Sequence, residues 1–394
     1  MTPTLYSLND HRISATLINT NAIFVIKTLK KAGFEAYLVG GCIRDLLLNE
    51  KPKDFDISTS AKPEEIASLF KNCILIGRRF RLAHIRFAQQ IIEVSTFRAG
   101  EPIEEEIITK DNIWGSPSED VIRRDFTING LFYDPFKEII IDYTGGFIDL
   151  KNKLLKTIGN PKLRFKQDPV RMIRLLKILA RFNFNVDRLT LEALISSKEE
   201  IVKSSQARVF EEIIRMLHSG SAAKFILLLE QYGLFKLLFS ELHENITKHP
   251  KLLISIEKHL LALDGVIKHN PQIDRSISFS AWLFPFINIK IKENPDLFSN
   301  NLGSLFEFIY TCLKSFFDNS FTGCPKRLLI NTLSILQLQY RFTPLKIKKK
   351  IRIPSKIMQQ NYWKNGLLLL KIRSQVHPKL FKIYNYWQHI NKEK

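Results

Sequence analysis

Residues 20–32, TNAIFVIKTLKKA, repeat apolar positions at helical spacing, with Thr20 or Asn21 available as a cap and Gly33 ending the run. A short apolar strand is predicted at 36–39, and Gly40 and Gly41 turn it into a helix that continues through the leucines at 46–48. Further strands are predicted at 54–57, 74–76, 84–87 and 91–97 and near 138–142, with a helix over 63–70. From about Asp168 onward helical periods dominate. The run KQDPVRMIRLLKILARF is amphipathic, with Asp168 near its start and Pro169 in its first turn. The pattern therefore predicts an α/β head with a small mixed β-sheet and helices on one side, followed by all-helical parts. The change of period marks the boundary: a head over 20–160, a helical segment over 161–240, a helical body over 241–340 and a terminal segment over 341–394.

A chain of 394 residues exceeds what one hydrophobic core serves, so two or more units are expected. No apolar stretch reaches membrane-spanning length and MTPTLYSLNDHR lacks a secretory pattern, which leaves the cytoplasm as the expected location. The four cysteines, Cys42, Cys73, Cys312 and Cys324, lack metal-ligand spacing, and Cys42 reads as a small packing residue.

The chemistry concentrates in two short motifs. In LVGGCIRD, Gly40 and Gly41 carry no side chains to keep a triphosphate from the backbone of a strand-to-helix turn. Arg44 is a candidate phosphate contact or support, and Asp45, which would repel phosphate, is expected to hold it. In KPKDFDIST, Asp54 and Asp56 share one face of an extended segment while Phe55 packs behind, so both can reach divalent metal. A third carboxylate has two candidates. Glu93 alternates with Ile92 and Val94 and is expected to face the aspartate pair, whereas Asp125 follows Arg123 and Arg124 in a cluster suited to phosphate and ribose. On the later helix, Asp168 and Arg171 present an acceptor beside a donor fork, as a reader of a base edge or as a plain ion pair.

Charge adds a partner. The formal net charge is +20, and residues 341–394 hold fourteen Lys or Arg against the single acid Glu393. Their densest part includes Lys348, Lys349 and Lys350, and Trp363, Tyr384 and Trp387 follow. An RNA-binding tail with stacking aromatics is one reading of this segment, and a solubilising tail is the other.

LVGGCIRDLLL, KPKDFDI, IIEVSTFR, VIRRDFTINGLFYDP, DYTGGFIDLKNKLLKTIGNP and DPVRMIRLLKILARF together resemble the class II nucleotidyltransferases, a family of bacterial poly(A) polymerases and CCA-adding tRNA nucleotidyltransferases. The resemblance covers roughly residues 20–240. It implies a seahorse-like head, neck, body and tail. It also implies metal binding by Asp54 and Asp56, triphosphate at Gly40 and Gly41, ribose handling by Arg123, Arg124 and Asp125, and base recognition by Asp168 and Arg171. Where the family has glutamate before that last aspartate, this chain has Gln167. NCILIGRRFRLAHIRF and SSQARVFEEIIRMLHSG are similar to the poly(A) polymerase versions of their motifs. The implied activity is template-independent addition of AMP from ATP to RNA 3′ ends with Mg²⁺, the alternative being CCA addition from CTP and ATP. RNA-degradation machinery is an implied partner, and a monomer is the simplest state.

Overall fold

The computed structural model describes residues 1–77, 81–88, 90–99, 113–294, 302–344, 358 and 362–392. They divide into two units, Met1–Arg171 with Asn183–Ser197, and Met172–Phe182 with Lys198–Lys394. Among them, no helix is long and apolar enough to cross a membrane. The lysines at 348–350 lie outside the described residues.

The first unit is built on eight strands: β1 (Thr4–Tyr6), β2 (Ala36–Val39), β3 (Asp56–Thr59), β4 (Cys73–Ile76), β5 (Leu82–Phe87), β6 (Gln90–Thr96), β7 (Phe132–Asp134) and β8 (Ile139–Asp142). They form a mixed sheet in the order β1-β8-β7-β2-β3-β6-β5-β4. β3 and β6 run parallel, while their flanking neighbours pair antiparallel. Alternation decides the faces. Leu38, Ile57, Ala83, Ile85, Ile92 and Val94 point into one core, where Ile26 and Leu29 of the helix Thr20–Lys31 and Ile66 of the helix Pro63–Leu69 cover them. A smaller cluster of Val39, Phe97, Val121, Phe132 and Ile158 packs separately, and Val39 alternates with Leu38 across the sheet.

Local signals hold with two corrections. The cap of the helix Thr20–Lys31 is Asn19, whose side chain accepts from Asn21 N and Ala22 N, because it stands one residue ahead of the helical run. Strand β3 begins at Asp56, so Asp54 precedes the ladder, although the exposed-buried-exposed alternation already runs through Asp54, Phe55 and Asp56.

The second unit is helical. Trp282, Phe239, Phe279 and Phe316 form an aromatic core with ring centroids 4.8 to 5.9 Å apart. Trp363 and Trp387 pack with Phe342, Leu338 and Leu370. Trp363 is fully buried and Trp387 is 6% exposed, so both serve as core and neither presents a stacking face.

A cation is buried in this unit, between the helices Lys251–His269, Arg275–Glu293, Lys326–Phe342 and Tyr362–Val376. Arg373 lies 4.2 Å over the Phe284 ring and donates to Gln339 Oε1 and Thr343 Oγ1, each at 3.1 Å. His259 is 1% exposed and bonds Ser255 O at 2.7 Å. Burial, helped by the charges of Arg373 and His377, pulls its pKa down to about 4. The unfolded chain therefore takes the proton first. Stability is full above about pH 6.5 and is expected to fall by roughly 3 kcal/mol as pH drops toward 4. Urea denaturation of the wild type and His259→Gln at pH 7 and pH 4.5 checks this, the variant showing the smaller loss between the two.

Candidate active site

At Gly40 the chain leaves β2 with φ 74° and ψ −133°, a conformation open to glycine, and enters the helix Gly41–Leu47. A Cβ on Gly40 would stand 3.5 Å from Arg124 Nη1, and one on Gly41 would stand 3.3 Å from Arg44 Nη2. Two guanidinium groups thus approach the bare turn.

Arg44 is 6% exposed and is tied down as its neighbour's acidity suggests. Its Nε and Nη2 donate to Asp45 Oδ1 at 2.9 and 2.6 Å. Its Nη1 donates to Asn129 Oδ1 at 2.7 Å, and Asn129 Nδ2 donates to Asp125 Oδ1 at 3.0 Å. Asp125 Oδ1 also accepts Phe126 N at 2.8 Å. The buried amide of Asn129 therefore connects Arg44, under the glycine turn, to the Arg-Arg-Asp segment.

Beside that turn the carboxylates line up. Asp54 and Asp56 are exposed, and Phe55 between them is 6% exposed within the main core. In the parallel pairing of β3 and β6, Asp56 is opposite Glu93, and in the antiparallel pairing of β5 and β6, Glu93 is opposite His84. Register partners point to the same face, so Asp56, Glu93 and His84 form one row. His84 Nε2 lies 3.4 Å from Glu93 Oε2. A solvent-open recess of about 1030 Å³ adjoins Asp54 and is lined also by Lys53, Arg86, Phe87, Gln90 and Ile91.

The arginines after Ile122 divide their work. Arg123 Nη1 donates to Ala99 O at 3.0 Å. Arg124 Nη2 donates to Asp120 Oδ2 at 2.8 Å and to Ser58 Oγ at 3.0 Å, which places this cation on the same face as Asp56, two residues along β3. The helix Val170–Phe182 starts beyond Asp168. There Arg171 Nε stands 4.0 Å from Asp168 Oδ2, a long contact, while Arg171 Nη2 donates to Arg123 O at 2.8 Å. Arg171 is thus held against the Arg-Arg-Asp segment.

The donor set is all oxygen, which suits a hard divalent cation. Among the described residues no three His, Cys, Asp or Glu side chains are disposed to hold a metal ion together. A Mg²⁺ ion here would complete its shell with water and phosphate oxygens, as this ion ordinarily does. Cys42 takes no part. Burial, and next the charge of Asp56, push its thiol up to about 12.

Asn129, Ser58, Asp120 and Arg164 were not singled out from the sequence. Asn129 lies within VIRRDFTING, but its partner Arg44 is 85 residues away. Replacing Asn129 by Leu should cost about 2–3 kcal/mol, since it removes hydrogen bonds from the buried Arg44 and Asp125. Urea denaturation measures the loss, and Asn129→Gln is expected to recover less than half of it.

Comparison with known proteins bears on the family of the chain and on its fold. The Poly A polymerase head domain family matches residues 36–156, and a second family, described as the probable RNA and SrmB-binding site of polymerase A, matches residues 183–246. Poly(A) polymerase I of Salmonella typhimurium is 34% identical over 98% of this chain and 85% of its own length. A CCA-adding enzyme of Lactobacillus helveticus is 38% identical, but over 50% of this chain and 49% of its own. In fold, a Thermotoga maritima CCA-adding enzyme complexed with tRNA is similar at a TM-score of 0.59 and 17% identity, covering 100% of this chain and 87% of that one. Likeness to the CCA-adding relative by sequence spans half the chain, whereas likeness to the poly(A) polymerase spans nearly all of it. The chain therefore belongs to the poly(A) polymerase family of nucleotidyltransferases.

Proposed function

We propose that this chain transfers AMP from ATP to the 3′ end of an RNA, without a template and with release of pyrophosphate, through the site built around β3. The observation that carries the reading is the row of carboxylates: Asp54 and Asp56 exposed on either side of buried Phe55, with Glu93 in register beside Asp56. In this reading the RNA 3′-hydroxyl attacks the α-phosphorus of ATP in line with the pyrophosphate leaving group. Asp54 and Asp56 would hold Mg²⁺, which when bound would lower the hydroxyl pKa and steady the leaving phosphates. Gly40 and Gly41 admit the triphosphate to the backbone. Arg124, close to that turn, meets phosphate charge, and Arg44 braces the turn from below through Asp45 and Asn129. The Arg-Arg-Asp segment bounds the ribose through Arg123, and Asp168 with Arg171 faces the base.

Glu93 and Asp125 separate by environment. Glu93 has a side chain 45% exposed in the row of Asp56, so it is assigned to the metal side. Asp125 is 4% exposed and bonded to Asn129, so it is assigned to holding the Arg-Arg-Asp segment. The enzyme would act as a cytoplasmic monomer on RNA ends, upstream of RNA-degrading partners.

Asp54→Ala and Asp56→Ala should each lower AMP addition by on the order of 10³-fold or more, because both charge neutralisation and alignment depend on the metal. Their melting temperatures should stay near wild type, both positions being exposed. Glu93→Ala should shift the Mg²⁺ dependence to higher concentration, and Asp125→Ala should leave that dependence in place.

The substrate is tested by incubating the enzyme with an unstructured RNA and with a tRNA lacking its terminal CCA. ATP, CTP or both are offered, and products are resolved to one nucleotide. Long ladders from ATP alone on the unstructured RNA are expected. Three additions confined to the tRNA, with CTP required first, would assign CCA addition instead.

A further inference from the structure

One buried cation stands outside every role given above. Arg164, on the helix Pro161–Gln167, is 5% exposed, and each of its three side-chain nitrogens has a protein acceptor. Nε donates to Ile158 O at 3.2 Å, Nη1 to Gln167 Oε1 at 3.3 Å, and Nη2 to Ile122 O. These acceptors belong to three parts of the chain. Ile122 immediately precedes Arg123 and Arg124. Ile158 donates its N–H to Asp125 O at 3.1 Å, so it lines the other side of the same segment. Gln167 immediately precedes Asp168, whose N–H donates to Arg164 O at 3.1 Å.

The fork of one guanidinium therefore fastens the ribose side of the site to the base side. Arg171 adds a parallel tie, donating to Arg123 O, the next carbonyl along from Ile122. Only arginine can make this bridge, because three directed donors in a rigid plane are needed and an ammonium on a flexible stem cannot span three fixed acceptors.

The bridge has a chemical use. Adenine and cytosine both show an amino donor beside a ring-nitrogen acceptor, so Asp168 and Arg171 cannot separate them by hydrogen-bond pattern. They differ in reach, since the pairing edge of a purine stands farther from the sugar than that of a pyrimidine. A fixed span between the ribose segment and the base-reading pair measures that reach.

We propose that Arg164 is a positioning residue that holds this span at purine length and so contributes to the selection of ATP over CTP. The inference rests on the adenylyltransferase reading above. It further assigns Gln167 as a neutral acceptor for Arg164, in a place where the resemblance leads one to expect glutamate.

The test compares kcat/KM for ATP and for CTP on one unstructured RNA, using wild type, Arg164→Lys and Gln167→Met, with melting temperature and RNA affinity measured alongside. Arg164→Lys keeps the charge and loses the fork. Its ATP-to-CTP ratio is expected to fall on the order of tenfold, as a small misplacement across the site would produce, with RNA affinity unchanged. Gln167→Met removes one acceptor and leaves both carbonyl ties, so a smaller fall, on the order of threefold, is expected. A general loss of packing would lower both nucleotides together and leave the ratio where it was. A folded Arg164→Lys enzyme with the wild-type ratio overturns the proposal. Should that variant not fold, an unchanged ratio in Gln167→Met overturns it. Wild-type enzyme that adds no AMP to RNA removes the adenylyltransferase reading and this inference with it, whereas ATP-selective wild type beside an unchanged variant ratio removes the inference alone.

Discussion

The two-residue period of one extended segment governs this molecule's chemistry. Phe55 and Ile57 are buried in the main core, and between and before them Asp56 and Asp54 are turned outward by the pleat. Slipping the segment by one position would drive two carboxylates into an apolar interior and push two large hydrophobic side chains into water, at a cost of several kcal/mol. The hydrophobic effect, which knows nothing of nucleotides, thereby aims both carboxylates at solvent. Everything else takes its place from that register: Glu93 through the parallel ladder, Ser58 two residues on, and Arg124 through Ser58.

Around this strand, arginines are used as structural rivets. Arg44 engages Asp45 and Asn129, Arg124 engages Asp120 and Ser58, and Arg164 and Arg171 engage the consecutive backbone carbonyls of Ile122 and Arg123. Burying a guanidinium is costly unless its donors are met, so each such contact fixes a geometry strongly. In the proposed reading the site holds a triphosphate, a ribose and a base at once, and supports of this kind let a highly charged ligand meet groups already in position.

Sequence reading reached those features whose causes lie close together along the chain. The aspartate pair around a phenylalanine, the glycine turn, the adjacent Arg44 and Asp45 and the alternating strand with Glu93 depend on spacings of one to three residues. The contact of Asn129 with Arg44 and the three-way role of Arg164 depend on how strands are ordered in space, which no local period encodes. The aromatic tail was open to two readings for a related reason. A tryptophan among lysines looks the same whether its ring faces bases or, as with Trp363, a neighbouring Phe342 at 5.1 Å. The Asn19 cap shows the limit at the smallest scale, since an asparagine and a threonine stand side by side at the helix start and only backbone geometry decides between them.

The parallel pairing of β3 with β6 has a temporal consequence. Parallel neighbours cannot be joined by a tight hairpin, and here the chain must make β4 and β5 before Glu93 can lie beside Asp56. The segment that braces them arrives later still, at Arg123 to Asp125, and the Asp168–Arg171 turn later again. Contacts of such long sequence separation form slowly, after the intervening chain has been ordered. A growing polypeptide emerging from its ribosome thus carries scattered acids and bases rather than a working centre until well over a third of its length has been made. In the proposed reading the site is complete only once the strands, the Arg123 to Asp125 segment and the Asp168–Arg171 turn have all been made.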